Sequence, residues 1–133
     1  MAEEHNILRV EGVSKRYGGL QALDSVSLSI RYGETHALIG ENGAGKSTLM
    51  KILGGIEKKD EGSFFFDGAP AEFPGPRHAL SAGIAIIHQE LSMLPDLDII
   101  ENVYMGRMAS RRGKVDWKTL EAKTREQLCR VGL

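Results

Sequence analysis

Apolar residues along this chain fall into distinct patterns, and each predicts a different element. Val26, Leu28 and Ile30 alternate with Ser27 and Ser29, the period that buries one face of a β-strand. Ile7, Val10 and Val13 mark a shorter strand-like stretch, and Ser63-Phe64-Phe65-Phe66 lies between the turns Asp60-Glu61-Gly62 and Asp67-Gly68. Thr35-His36-Ala37-Leu38-Ile39 follows the turn Arg31-Tyr32-Gly33-Glu34 and predicts a strand. Ile84-Ala85-Ile86-Ile87 is a continuous apolar run of the kind buried on both faces of a sheet. Leu49, Ile52, Leu53 and Ile56 change the period to i, i+3, i+4, i+7, the stripe of a helix packed on a sheet, and Gly54-Gly55 ends it.

The second half predicts helices. Pro74 to Pro76 punctuate a loop, a short helix is expected from Arg77 to Ala82, and Gly83 stops it. Asp98 precedes Glu101 by three residues, a capping-box spacing for a helix from Ile99 to Met105 that stops at Gly106. Ala109 to Lys114 reads as a basic loop. Asp116 is the expected N-cap of a helix from Trp117 to Val131, with Trp117, Leu120, Thr124, Leu128 and Val131 on one face and Gly132 at its end. No internal repeat, low-complexity segment or domain linker interrupts the pattern.

Chemistry enters between the predicted strand at 35–39 and the helix stripe. Gly40 to Thr48 read G-E-N-G-A-G-K-S-T, the G-x-x-x-x-G-K-[ST] phosphate-binding loop in its required strand-to-helix setting. Gly40, Gly43 and Gly45 permit tight and positive-φ conformations, so successive N–H groups of Glu41, Asn42, Ala44 and their neighbours can converge on phosphate oxygens. Lys46 would reach the β- and γ-phosphates as a point charge, and the Ser47 hydroxyl would take one Mg²⁺ position beside Thr48. The helix opening at Gly45 adds its dipole and unpaired N–H groups. A Gly-rich turn without a ligand is the bland alternative; a chance match of the motif in such a chain has a probability on the order of one per cent.

Composition narrows the class without changing it. The 133 residues suit one domain, and 17 basic against 18 acidic residues leave a net charge of −1, so no global field points to nucleic acid. Hydrophobic content of 41% contains no run of about 18 apolar residues, and the acidic N-terminus Met1 to Asn6 does not resemble a secretory signal. Cys129 is the only cysteine, which excludes an internal disulfide and fits a reducing compartment. A soluble, cytoplasmic chain is expected.

Four stretches together resemble the nucleotide-binding subunit of an ATP-binding cassette (ABC) transporter of the carbohydrate importer class. They are Ser14 to Leu23 (S-K-R-Y-G-G-L-Q-A-L), Gly40 to Leu49, Ile84 to Leu91 and Glu101 to Arg107; Glu41 before Asn42 and the H-Q-E-L at 88–91 are similar to the sugar importers in particular. The resemblance implies an α/β P-loop NTPase of the cassette ATPase type, with an N-terminal antiparallel β portion, a phosphate-loop core and the start of a helical subdomain. It implies ATP and Mg²⁺ as ligands. It also implies membrane permease subunits, a second nucleotide-binding domain and, indirectly, an extracytoplasmic sugar-binding protein as partners, with the chain peripheral on the inner face of the membrane.

By the same resemblance Tyr17 stacks on adenine, its flat π surface supplying binding with little base selectivity; a strand-edge tyrosine resting on a neighbour is the alternative. Asn42 to Thr48 form the phosphate cradle. Gln89 matches the glutamine that approaches Mg²⁺ and the attacking water and faces the membrane subunit; a polar cap on a buried strand is its alternative. His88 reads as a hydrogen-bonded loop residue, His36 as a packed polar residue, Cys129 as a small buried side chain, and Arg107, Arg111, Arg112 and Lys114 as a solvated cluster.

The resemblance covers only the first half or so of a cassette domain. The L-S-G-G-Q-like signature, the aspartate and glutamate of the second phosphate-site motif and the switch histidine do not occur, so residues 1–133 are expected to form an incomplete domain with little or no hydrolysis alone. In this family two later strands lie between the phosphate-loop strand and the one before Gln89, so 35–39 and 84–87 are expected to lack neighbours. Other readings stay open: a different P-loop kinase or GTPase, a non-catalytic nucleotide-binding module, or a cassette ATPase without membrane subunits.

Overall fold

Two strands of twelve residues open the fold. The computed structural model describes residues 6–89, 93–108, 110–111 and 113–133, and the chain divides into two compact units, one up to Ile87 and one from His88. In the first, β1 (Asn6–Tyr17) and β2 (Leu20–Arg31) form an antiparallel hairpin joined by Gly18-Gly19, with Tyr17 opposite Leu20. The strands run past the alternating positions because a Gly-Gly pair is a two-residue hairpin connection, and Gly18 sits at φ 57°. Register shifts interrupt the pairing around Gly12, whose φ of 58° and N–H bond to Ser27 Oγ (2.8 Å) bend β1.

Next come β3 (Glu61–Phe66) and the two-residue β4 (Ala69–Pro70), giving a sheet of order β2-β1-β3-β4. Helix α1 (Lys46–Leu53) lays Leu49, Ile52 and Leu53 against Leu8, Val10, Val13, Leu23 and Phe64, which is the core of this unit. The predicted stripe is therefore correct up to Leu53. Ile56 is exposed, since the helix ends at Leu53, three residues before it. Helix α2 (Pro76–Ala82) begins with proline at its first position and stops at Gly83, at φ 106°.

The segments 35–39 and 84–87 belong to neither sheet. Their apolar residues favour a strand, but a strand exists only with a hydrogen-bonding neighbour, and none of the described strands lies beside them. Ile39 is 91% and Ile87 98% exposed, while Ile84 rests on the core and Ile86 covers Gly54. His36, expected to be packed, is exposed and meets Glu34 Oε1 through Nδ1 at 3.1 Å, because no sheet encloses it.

The second unit contains α3 (Ile99–Tyr104), α4 (Trp117–Arg130) and a minimal hairpin of β5 (Ser110–Arg111) and β6 (Lys114–Val115) where a loop is expected. Gly113, at φ 78°, supplies its turn. Ala109 and Arg112 lie outside the described residues. The capping box at α3 is formed: Glu101 N–H donates to Asp98 Oδ1 (2.8 Å) and Asp98 N–H to Glu101 Oε2 (3.0 Å). Asn102 adds a tie that the pattern does not reveal, its amide donating to the Leu94, Leu97 and Asp98 carbonyls and accepting from Leu94 N–H. Asp98→Ala is expected to remove about 1 kcal/mol from α3, read as several-fold faster amide exchange across Ile99–Tyr104.

On α4 only Leu120 and Thr124 are buried and Leu128 is half-buried; Trp117 and Val131 are largely exposed. Cys129, expected inside, is exposed. It follows Leu120 by nine residues, which at about 3.6 residues per turn places it on the opposite side of the helix. Among the described residues no helix is long and apolar enough to cross a membrane.

Candidate nucleotide-binding site

The loop at 40–45 takes its shape from its glycines and from what lies beneath it. Gly43 and Gly45 adopt φ of 86° and 82°, the left-handed region open to glycine, whereas Gly40 does not. At Gly40 the constraint is space: an added Cβ would stand 3.3 Å from the Ala44 methyl. At Gly45 both demands coincide, because a Cβ would run into the Ala22 carbonyl oxygen and lie 2.7 Å from Leu23 Cδ2. The last glycine of the loop therefore lets α1 start directly against β2. Ala44 N–H closes a turn on the Glu41 carbonyl at 3.2 Å, and Leu49 N–H bonds Gly45 at 2.9 Å to begin the helix.

Gly45 is the N-cap of α1, and no side chain caps it. The first N–H groups of an α-helix have no intrahelical partner and carry the positive end of its dipole. Lys46 folds back over the loop, its ammonium donating to the carbonyls of Gly40 and Glu41, both at 2.6 Å. Its charge is thus already held against the backbone at the start of the loop. Ser47 is exposed on the first helical turn and Thr48 half-buried. Such an uncapped helix start with a cation at the loop and an adjacent hydroxyl fits the anionic phosphates of a nucleotide, and it fits Mg²⁺ as an ion that takes most ligands from phosphate and water.

Tyr17 ends β1 at the tip of the hairpin, its residue 41% exposed. Lys15 Nζ stands over its ring, 5.3 Å from the centroid. That ammonium is also bonded to Asp60 Oδ1 at 3.1 Å, and Arg16 N–H donates to Asp60 Oδ2 at 2.7 Å. The Arg16 N–H and the Lys15 ammonium hold the Asp60 carboxyl below the usual carboxylate range. Glu34 is shifted the same way, by the Arg31 N–H (2.8 Å) and then by His36.

Gln89 and His88 belong to the second unit, where both are exposed. Glu90 and Leu91, the rest of the H-Q-E-L stretch, lie outside the described residues. Lys46, Ser47, Thr48 and the loop glycines are brought together; Tyr17 sits in the same unit at the hairpin tip. Asp60, Lys15, Ala22 and Leu23 are the residues that the motif alone does not reveal. Ala22 and Leu23 could be suspected only from the rule that the last glycine of such a loop lies close to a strand.

Residues 23–132 match the family model described as ABC transporter. The chain is 46% identical over 129 residues to the ribose import ATP-binding protein RbsA 2 of Rubrobacter xylanophilus, covering 96% of this chain and 25% of that protein. It is 48% identical over 125 residues to the arabinose import ATP-binding protein AraG of Chromohalobacter salexigens, covering 94% and 25%. It therefore spans about a quarter of the length of these curated relatives. A solved nucleotide-free ATP-binding cassette from an ABC transporter superposes with a TM-score of 0.70 at 33% identity, over 89% of this chain and 46% of that one. CbiO1 of Clostridium perfringens, part of the transporter complex CbiONQ, gives 0.68 at 28% identity over 98% and 52%. The hairpin sheet, the glycine-and-lysine loop and the family match agree: the fold is that of a cassette ATPase of the P-loop type, and the chain belongs to the ABC transporter family.

Proposed function

We propose that this chain carries the ATP-binding half-site of a carbohydrate importer's ATPase subunit. The observation that supports it most is the Lys46 ammonium held within the loop at the uncapped start of α1. Lys46 exchanges its two carbonyl bonds for β- and γ-phosphate oxygens, while the N–H groups of Gly43 to Thr48 take the remaining oxygens. Ser47 offers its hydroxyl to Mg²⁺, which when bound neutralises phosphate charge during phosphoryl transfer. Tyr17 stacks on the base, and Glu41 and Asn42 shape the near wall of the cradle. Gln89 orients water near the metal and faces the permease. The partners are membrane permease subunits and a second nucleotide-binding domain, with a sugar-binding protein upstream, at the inner face of the membrane.

The identities to ribose and arabinose import proteins support a pentose or related sugar importer as the setting. The test is a chimera in which this chain replaces the matching quarter of a ribose import ATP-binding protein. ATP-dependent ribose uptake is expected to persist and to vanish when Lys46→Ala is added. A chimera that assembles with its permease and hydrolyses ATP but moves no sugar would contradict the importer reading.

A further inference from the structure

The hairpin tip holds an arrangement that the phosphate loop does not account for. Lys15 is only 12% exposed at its side chain, low for a lysine beside a hairpin tip, and its ammonium is bonded to Asp60 while standing over the Tyr17 ring. Asp60 is itself fixed from two more directions: its N–H donates to the Ser14 carbonyl (2.9 Å) and its second oxygen accepts from Arg16 N–H. Arg16 Nε then bonds Gln21 Oε1 at 3.2 Å, and Gln21 Nε2 bonds Asp24 Oδ1 at 3.0 Å, so the two strands are tied side chain to side chain at the tip. The cation stands over the ring of a tyrosine that is 41% exposed.

We propose that Lys15, anchored by Asp60, is a positioning residue for the nucleotide base: it occupies the rear face of the Tyr17 ring so that the front face is presented to a purine. This rests on the stacking role of Tyr17 proposed above. Two physical effects act together. A ring with a cation fixed on one side loses orientations that it would otherwise have to give up on binding, and less entropy is then lost when the base stacks. The cation also draws π density toward itself, which lowers the repulsion between the ring and the electron-rich π cloud of a purine on the other face.

Calorimetric titration of the 133-residue chain with Mg·ATP and, separately, with Mg·tripolyphosphate isolates the base from the phosphates. Tyr17→Ala is expected to weaken ATP at least fivefold, the scale of aromatic–base stacking, and to leave tripolyphosphate unchanged. Lys15→Met, which keeps the apolar stem and removes the charge, is expected to weaken ATP about two- to fivefold with tripolyphosphate unchanged, the scale of an exposed cation–π contact. Lys15→Arg restores the affinity. Asp60→Asn, whose amide oxygen still accepts from Arg16 N–H, behaves as Lys15→Met, and neither change adds to Tyr17→Ala. If Tyr17→Ala weakens ATP while Lys15→Met and Asp60→Asn do not, the positioning role is overturned and stacking stands. If ATP binds the unmodified chain no more tightly than tripolyphosphate, stacking fails and the positioning role fails with it. A loss for both ligands in Lys15→Met means a fold defect rather than positioning of the base, and overturns the proposal as well.

Discussion

Lys46→Ala is expected to weaken Mg·ATP binding by about 100-fold or more while leaving the fold nearly unchanged. Charge-assisted hydrogen bonds contribute about 1.5–3 kcal/mol each, and in the proposed site the lysine would make two to phosphate oxygens. About 3 kcal/mol is therefore at stake, a little over two decades in affinity. In the free protein the same ammonium bonds the exposed carbonyls of Gly40 and Glu41. Water replaces it there when the side chain is removed, so stability changes by about 0.5 kcal/mol or less. Calorimetry for affinity and urea denaturation for stability separate the two. Retained affinity in the variant would mean that the ammonium does not meet the phosphates.

Gly45→Ala is expected to destabilise the first unit by roughly 2–5 kcal/mol. A non-glycine residue in the left-handed region costs about 1–2 kcal/mol. The new Cβ additionally meets the Ala22 carbonyl and Leu23, a backbone atom and a core side chain, and overpacking of this kind costs about 1–3 kcal/mol more. Gly43→Ala provides the comparison, since its φ is 86° but a Cβ there meets nothing within 4 Å. It is expected to show only the backbone term, about 1–2 kcal/mol. Urea midpoints of the two variants check this, and equal losses would mean that α1 does not start against β2 as described. The glycines thus divide the work, Gly43 turning the loop and Gly45 joining it to the core.

What the pattern of the chain makes legible is local. The α1 stripe at Leu49, Ile52 and Leu53, the stop at Gly83, the capping box at Asp98 and Glu101, and the turn at Asp67-Gly68 are all written in consecutive residues and are all found. The strands are less so. Val26 to Ile30 alternates clearly, but β2 extends back to Leu20 because its partner β1 is there to pair with it, through bulges that no alternation records. The opposite happens at 35–39 and 84–87, where strong strand patterns stand without a neighbour and no ladder forms. Strand propensity is a statement about the residue, while a strand is a statement about two segments.

The site divides along the same line. The loop from Gly40 to Thr48 is legible because phosphate recognition by backbone N–H groups imposes a fixed spacing of glycines. The surroundings of Tyr17 are not, because Asp60 reaches Lys15 and Arg16 across 45 and 44 residues of sequence. Cys129 and His36 are exposed for different reasons: Cys129 lies on the side of α4 opposite Leu120, where the helical period outweighs residue type, and His36 stands in a segment that pairs with no described strand.

Amide chemical shifts of the isotopically labelled chain, followed through a titration with Mg·ATP, test the central claim most directly. The account predicts that the N–H signals of Gly43 to Thr48 shift together and saturably, and that Lys46→Ala abolishes those shifts at the same concentrations. Shifts that spare this loop, or that persist in Lys46→Ala, would mean that the uncapped start of α1 is not where the nucleotide binds.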